Sequence, residues 1–592
     1  MLSKSEFEVL HYIYQNKKSN YTQRDIALTL DISLGKVNRL ISDFTDRGLI
    51  THDKSLSAKG LHALEPYKVQ NAIILAAGFA SRCAPLSYER PKGLFKVRDE
   101  ILIERQIQQL QDRGIKDIYV VVGYMKELFF YLEEKFNVHI VTNNEYTQRN
   151  NLSSIYAAKD KLGNSYICYS DNYITNNGYQ EYVYESYFAA MYSNGYTDEY
   201  VIEYDKNDLI HQYYQGGENA WYQMGEMYFS YETSQKFMEL LEKEYQYPSI
   251  YDMKIDDFYI RHLSELDIHI RKYPEESFFE FDTIAEIEKF DQKFIQNMGE
   301  NILTNICLAL NCTESEIENV KQIKRGLTNV IFSFSCRGQK YIYRHPGLGT
   351  EKIIDRSREA YAQAAACRLG LDPTLIKSDP LKGWKLSAFV ENIDFDYANH
   401  DDELRAVALL RKMHEKPEKL GWTFDMIERA KQIQELVSRE YYDAYTKFSD
   451  MREKISELYY YTKLDEYGIE MCHNDACDGN FLLGKTATYL IDWEYAGDND
   501  PAADIASFII GCRRTREDCD RILTEYLNHT PDLKEKRHYY AYLAISGYFY
   551  FSWAIYMEST GQNIGDLTYI WYNFALEYGK LALDMYKNGG NE

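Results

Sequence analysis

The chain has 592 residues, 45% of them hydrophobic and 27% charged, which exceeds what one core organises and sets an expectation of two to four globular domains. A formal charge of −24 excludes most of the surface from binding nucleic acid or anionic lipid, and no run of about 18 uncharged apolar residues offers a membrane span. The first residues lack the basic start and apolar block of a secretory signal, so a soluble cytoplasmic protein with no membrane partner is expected. The ten cysteines contain no CxxC pair and read as free thiols.

Residues 1–66 hold nine Lys or Arg against eight Asp or Glu, a net of +1 that leaves −25 for the rest of the chain. Leu2, Phe7, Val9, Leu10 and Ile13 make a first helical face, Thr22 caps a second helix ending near Leu30, and Ser33 caps a third that carries Lys36, Asn38 and Arg39. Gly48 stops the third helix, and residues 49–60 read as a wing. This order resembles the MarR-like winged helix-turn-helix, which implies a third helix that enters the major groove of DNA. The competing reading is a module that only docks or forms a homodimer.

From residue 70 to 295 the pattern changes to α/β. Apolar strands at 72–78, 117–124, 139–144 and 165–173 alternate with helices at 101–113, 126–135 and 151–161, which predicts a mostly parallel, doubly wound, Rossmann-like sheet with its ligand at the strands' C-terminal ends. Just after the first strand, Ala76, Ala77 and Gly78 let backbone approach a triphosphate, and Arg82 and Lys92 can neutralise it. Asp171 ends the fourth strand, where a carboxylate can hold Mg²⁺. Glu280 and Asp282 alternate in FFEFDT, so they share a strand face and repel unless a cation lies between them. The G-x-x-S-R spacing and the later Arg-Pro-Lys resemble the signature of sugar-phosphate nucleotidyltransferases. With GYMKE (123–127), NNEYTQRNNLSSIY (143–156), SDNY (170–173) and EFD (280–282), the segment resembles bacterial phosphocholine cytidylyltransferases. That resemblance implies Asn151 and Ser154 near the base or ribose, Mg²⁺ at Asp171, Glu280 and Asp282, and Lys92 and Arg82 stabilising the charge that passes to pyrophosphate. A quaternary ammonium donates no hydrogen bond, so its pocket needs aromatic faces, for which Tyr173, Trp221, Tyr222 and Tyr228 are candidates.

Residues 300–592 read as an α+β unit. A three-stranded antiparallel start is followed by a helix from about Asp355 to Leu369, and beyond Asp401 the chain is mainly helical. MCHNDACDGNFLL (471–483) fits H-x-D-x-x-x-x-N, and IDWEYAG follows at 491–497. Phosphoryl transfer needs a carboxylate near the attacking hydroxyl, which Asp475 supplies, and metal ligands for the ATP phosphates, which Asn480 and Asp492 supply. The segment resembles the choline kinase and aminoglycoside phosphotransferase superfamily, which implies a protein-kinase-like fold. By that resemblance Gly326, Thr328 and Asn329 belong to the nucleotide loop, and Arg344 and Glu359 are the phosphate-binding cation and its helix partner. Arginine stands there where most kinases have lysine, and the two are not equivalent. Tyr550, Trp553 and Tyr556 recur every third residue on one helix and can flank a trimethylammonium group. The expected activity is sequential: choline is phosphorylated from ATP, and CMP passes from CTP to phosphocholine, giving CDP-choline and pyrophosphate with Mg²⁺ as cofactor. The alternatives are the same two reactions on another amino alcohol, and a DNA-binding regulator that senses these metabolites.

Overall fold

The computed structural model describes residues 2–17, 21–299, 301–323, 329–347, 354–396, 398–485, 487–511, 514–559 and 564–589. The chain divides into two compact units, Met1–Thr304 and Asn305–Glu592.

The first unit opens with helices Lys4–Gln15, Gln23–Thr29 and Leu34–Asp46. Each starts on a hydroxyl, with Ser3, Thr22 and Ser33 accepting from the amides of Glu6, Asp25 and Lys36. The stretch expected to form a wing is reduced to one antiparallel bridge, Ile50 with Leu56. Ser57 then accepts from the Gly60 amide and starts a fourth helix, Ala58–Leu64, so residues 58–60 are helical rather than part of a hairpin. The apolar cluster of these helices, which includes Phe7, Leu10, Ile13, Val37 and Phe44, takes in Tyr182 from the following domain. Tyr14 Oη donates to Glu181 at 2.6 Å, and Lys4 Nζ lies 2.5 Å from Glu185.

In that domain the strand Asn71–Ala76 pairs in parallel with Ile118–Val122 on one side and Ser165–Tyr169 on the other, and His139–Thr142 extends the row. All six residues of Asn71–Ala76 are buried. Its side chains alternate between two cores, Ile73 and Leu75 in one, Ala72, Ile74 and Ala76 in the other, as a strand covered on both faces requires. The sheet is nine-stranded and mixed rather than mostly parallel. Trp221–Phe229 runs antiparallel to Ser165–Tyr169; Tyr187–Tyr192, Tyr196–Tyr204 and Ile210–Glu218 extend it, and His269–Lys272, parallel to Tyr187–Tyr192, is the ninth strand.

The second unit starts on five antiparallel strands, two more than expected, in the order Ile317–Ile323, Asn329–Cys336, Gln339–Pro346, Trp384–Ala388, Leu375–Asp379. Asp355 caps the helix Arg356–Arg368 that follows the third strand in sequence. A helical body follows, ending in the pair Leu533–Ser559 and Leu567–Asn588. Gly547 is the point where the two last helices touch: a Cβ there would meet the Ala575 amide and the Trp571 carbonyl, both at 2.9 Å. Two small ladders, Glu470–Cys472 with Gly497–Asn499 and Phe481–Gly484 with Thr488–Leu490, frame the loop that carries Asp475. Among the described residues no helix is long and apolar enough to cross a membrane.

Candidate functional site

In the first unit a cavity of about 560 Å³ opens at the C-terminal ends of the parallel strands and is lined by Ala76, Ala77, Gly78, Arg82, Lys92, Asn151, Ser154, Asp171 and Asp282. Lys92 Nζ lies 2.9 Å from Asp171 Oδ2. Burial works against the Lys92 charge, but the Asp171 carboxylate outweighs it and the pKa is raised. The pairing depends on Gly93, where a Cβ would strike Ser170 Oγ at 2.8 Å. Only a residue without a side chain lets the Lys92 turn lie against the Ser170–Asp171 strand end. Arg82 Nη1 holds Asp282 Oδ2 at 2.6 Å, with both side chains largely exposed. Ser154 Oγ accepts from Asn143 Nδ2 at 3.1 Å, and Asn151 Oδ1 accepts from the Ile255 amide at 3.0 Å.

Other expected residues sit elsewhere. The strand Phe278–Glu280 ends before Asp282, so the two acids do not share a strand face, and Glu280 does not line the cavity. Glu280 does pair in register with Asn172, beside Asp171. Its side chain is exposed at the strand end, and partial desolvation, then the Asp171 charge, raise its carboxyl above the ordinary range. Tyr173 turns away from the cavity, because its ring is taken by Phe290 at 5.1 Å and by the Arg105 guanidinium at 4.5 Å. Trp221 packs edge-on to Tyr192 at 5.4 Å and is likewise absent from the lining, as are Tyr222 and Tyr228. Two lining residues that the motifs did not single out are Asn143, whose amide positions Ser153 and Ser154, and Arg149, stacked at 4.2 and 4.0 Å on Tyr245 and Tyr251. Both stand inside or beside the 143–156 motif.

In the second unit a cavity of about 620 Å³ is lined by Arg344, Asp475, Asn480, Asp492, Tyr550 and Trp553. The loop before Asp475 is fixed by Asp504, which accepts from the amides of His473 at 2.9 Å and Asn474 at 2.5 Å, while His473 Nε2 meets the Ile491 carbonyl at 2.9 Å. His473 is thus a scaffold residue. Asp475 Oδ1 accepts from Tyr550 Oη at 2.7 Å and Oδ2 from Asn480 Nδ2 at 3.1 Å. Burial, the largest effect, pushes the Asp475 carboxyl up to about 6. Arg344 makes a two-pronged pair with Glu359 at 2.5 and 2.7 Å and also holds Asp492 Oδ1 at 3.0 Å. Asn329 Nδ2 reaches Glu494 at 3.4 Å; Gly326 and Thr328 lie outside the described residues.

The aromatic wall differs from expectation by one residue. Tyr556 packs against the core and does not line the cavity. Each three-residue step along a helix falls 60° short of a full turn, so Tyr556 has rotated about 120° from Tyr550. Trp571, from the next helix, takes its place, 5.3 Å from Tyr550 and 6.3 Å from Trp553. The composition held a signal, since the chain has only six tryptophans, but helix pairing was needed to use it.

All-oxygen donor sets suit Mg²⁺, and both cavities offer one: Asn480 with Asp492 in the second, Asp171 with Asp282 in the first. In the second cavity burial, and then the Asp492 charge, push the Glu494 carboxyl up to about 8. Among the described residues the one trio of His, Cys, Asp or Glu with donor atoms within 4.8 Å of one another is His414, Cys472 and Asp504. It is buried and engaged in holding the Asp475 loop.

Comparison with known proteins fits this division. A model of the MobA-like NTP transferase domain matches residues 72–171, and one of choline/ethanolamine kinase matches residues 320–547. The choline-phosphate cytidylyltransferase of Streptococcus pneumoniae is 31% identical over 221 residues, covering 37% of this chain and 96% of that protein. The 2-aminoethylphosphonate cytidylyltransferase of Lancefieldella rimae is 35% identical over 234 residues, 38% of this chain and 93% of that one. The chain belongs to this cytidylyltransferase family. Its cytidylyltransferase domain is joined to a choline kinase domain, so the molecule is a transferase with two sites. The crystal structure of the choline kinase LicA from Streptococcus pneumoniae is 26% identical, covers 47% of this chain and 98% of that one, and superposes with a TM-score of 0.42.

Proposed function

We propose that the kinase domain phosphorylates choline from ATP and that the cytidylyltransferase domain converts the phosphocholine formed, with CTP, to CDP-choline and pyrophosphate. The observation that carries this reading is the surroundings of Asp475: a carboxylate with two hydrogen bonds, facing a wall of Tyr550, Trp553 and Trp571. Such rings attract a trimethylammonium group, which needs no hydrogen-bond acceptor. Asp475 then accepts the hydroxyl proton while the choline oxygen attacks the γ-phosphorus and ADP leaves. In the other domain a phosphocholine oxygen attacks the α-phosphorus of CTP, and Lys92 and Arg82 neutralise the departing pyrophosphate. Held by Asn480 and Asp492 in the kinase domain and by Asp171 and Asp282 in the other, Mg²⁺ would offset phosphate charge.

Similarity to the aminoethylphosphonate enzyme favours a second acceptor class. A phosphonate already carries its phosphorus on carbon and needs no kinase, so the kinase domain on the same chain weighs toward a phosphorylated alcohol. For residues 1–66 we propose a DNA-binding role, supported by the exposure of Lys36, Asn38 and Arg39 on one helix. A gel shift with the chain's own upstream DNA, lost in Arg39→Ala, is the expected result.

The deciding assay supplies ATP, CTP, Mg²⁺ and choline and measures CDP-choline. Asp475→Asn should stop product from choline but not from phosphocholine, and Lys92→Met should stop both. Product from choline in Asp475→Asn, or from phosphocholine in Lys92→Met, would remove the assignment.

A further inference from the structure

We propose that Lys385 is a phosphate-contacting residue of the kinase site, forming with Arg344 a two-cation cradle for the ATP polyphosphate. The proposal rests on the kinase reading above and adds a residue that none of the motifs contains.

Its starting point is strand register. Arg344 and Lys385 stand directly opposite each other across the antiparallel strands Gln339–Pro346 and Trp384–Ala388. Like charges in that relation destabilise a sheet, and these two are 5% and 8% exposed, where water offers little screening. The adjacent pair, Tyr343 with Leu386, is the apolar kind that such an interior position favours. Two buried cations side by side persist only if anions are shared between them. Glu359 is one: its carboxylate holds both Arg344 nitrogens and lies 3.2 Å from Lys385 Nζ. Asp492 is the other, 3.0 Å from Arg344 and 3.9 Å from Lys385.

The two cations are not equally occupied. Arg344 commits both terminal nitrogens to Glu359, with Asp492 and the Gly383 carbonyl beside them. Lys385 Nζ makes one hydrogen bond within 3.5 Å among the described residues, although an ammonium has three donors. It faces the same cavity as Asp475 and Asn480. Arg356 adds a third cation, 2.8 Å from Glu359 and 3.3 Å from Glu494. Of these three cations Arg344 and Lys385 line the nucleotide cavity, and Lys385 is the one with donors left to offer. A compact ammonium meets a phosphate oxygen as a point charge, while the guanidinium fork stays matched to its carboxylate.

The test uses choline phosphorylation by the full-length chain, which reads this nucleotide site alone. Loss of a charge-assisted hydrogen bond should raise KM for ATP in Lys385→Met by about tenfold or more, while Ki for AMP, which competes without the outer phosphates, stays within about twofold. Lys385→Arg should recover most of the ATP affinity. Equal weakening of ATP and AMP would make Lys385 part of the pocket's frame and overturn the proposal, as would no change in either. If Lys385→Met fails to fold, the wild-type chain decides: ADP, and not AMP, should protect Lys385 from an amine-acylating reagent, read by peptide mass spectrometry, and equal labelling with both overturns the cradle. A wild-type chain inert toward choline would remove the kinase reading, while an active one that makes no distinction between nucleotides removes only the role of Lys385.

Discussion

Asp475 carries a burden that its neighbours only partly relieve. Burial raises its pKa from an ordinary carboxylate value to about 6, against the hydrogen bonds from Tyr550 and Asn480 that favour ionisation. Acting as a base requires the ionised form, so kcat/KM for choline phosphorylation should rise tenfold per pH unit below about 6 and level off above it. Tyr550→Phe withdraws a stabilising hydrogen bond and should move that inflection upward in a pH-rate profile. The same shift has a thermodynamic sign. Because the folded-state pKa exceeds the unfolded one, ionisation costs stability as pH rises through the window from about 4 to 6, and the cost is full above it. Asp475→Asn should therefore stabilise the fold at pH 8 by no more than about 3 kcal/mol, seen as a higher Tm, while abolishing phosphorylation. Asp475, Asn480 and Lys92 were legible in the sequence because their chemistry is written in contiguous spacing. Lys385 was not, because what makes it informative is the residue across the ladder, and register is absent from a linear reading.

At the scale of elements, the pair of C-terminal helices shows how a small residue governs a binding site. Gly547 brings Leu533–Ser559 and Leu567–Asn588 into backbone contact and thereby sets the distance of Trp571 from Tyr550 and Trp553. Gly547→Ala should separate the helices, destabilise the fold by about 1–3 kcal/mol and raise KM for choline while leaving that for ATP nearly unchanged. Trp571→Ala should raise KM for choline by about tenfold or more, the worth of a desolvated cation–π contact, and Tyr556→Ala by less than about twofold. Steady-state kinetics with each substrate varied separates these outcomes. Helix starts were readable at Thr22 and Ser33, where a hydroxyl precedes an amphipathic run. Ser57 was missed because the Lys-Gly sequence after it looks like a turn, yet Gly60 fits where a Cβ would strike the Leu49 carbonyl at 2.1 Å.

For the whole molecule, the parallel core of the first unit was visible because Ile73–Leu75 and the run 118–122 are continuous apolar segments bounded by turns. The antiparallel extension was hidden: Tyr196–Tyr204 and Ile210–Glu218 bear many exposed polar side chains and lack the burial pattern by which strands announce themselves. Tyr173 and Trp221 fail as ligand candidates for a related reason, since in a chain with 55 tyrosines most aromatic rings serve packing. The insertion of Tyr182 into the apolar cluster of the N-terminal helices, with Tyr184 packed against its edge, has a practical corollary. A version begun at residue 68 to isolate the catalyst would strip both rings of their cover and leave a greasy scar on the excised enzyme. Such a fragment should come off a sizing column as aggregates, and Tyr182→Ser with Tyr184→Ser should restore a discrete peak.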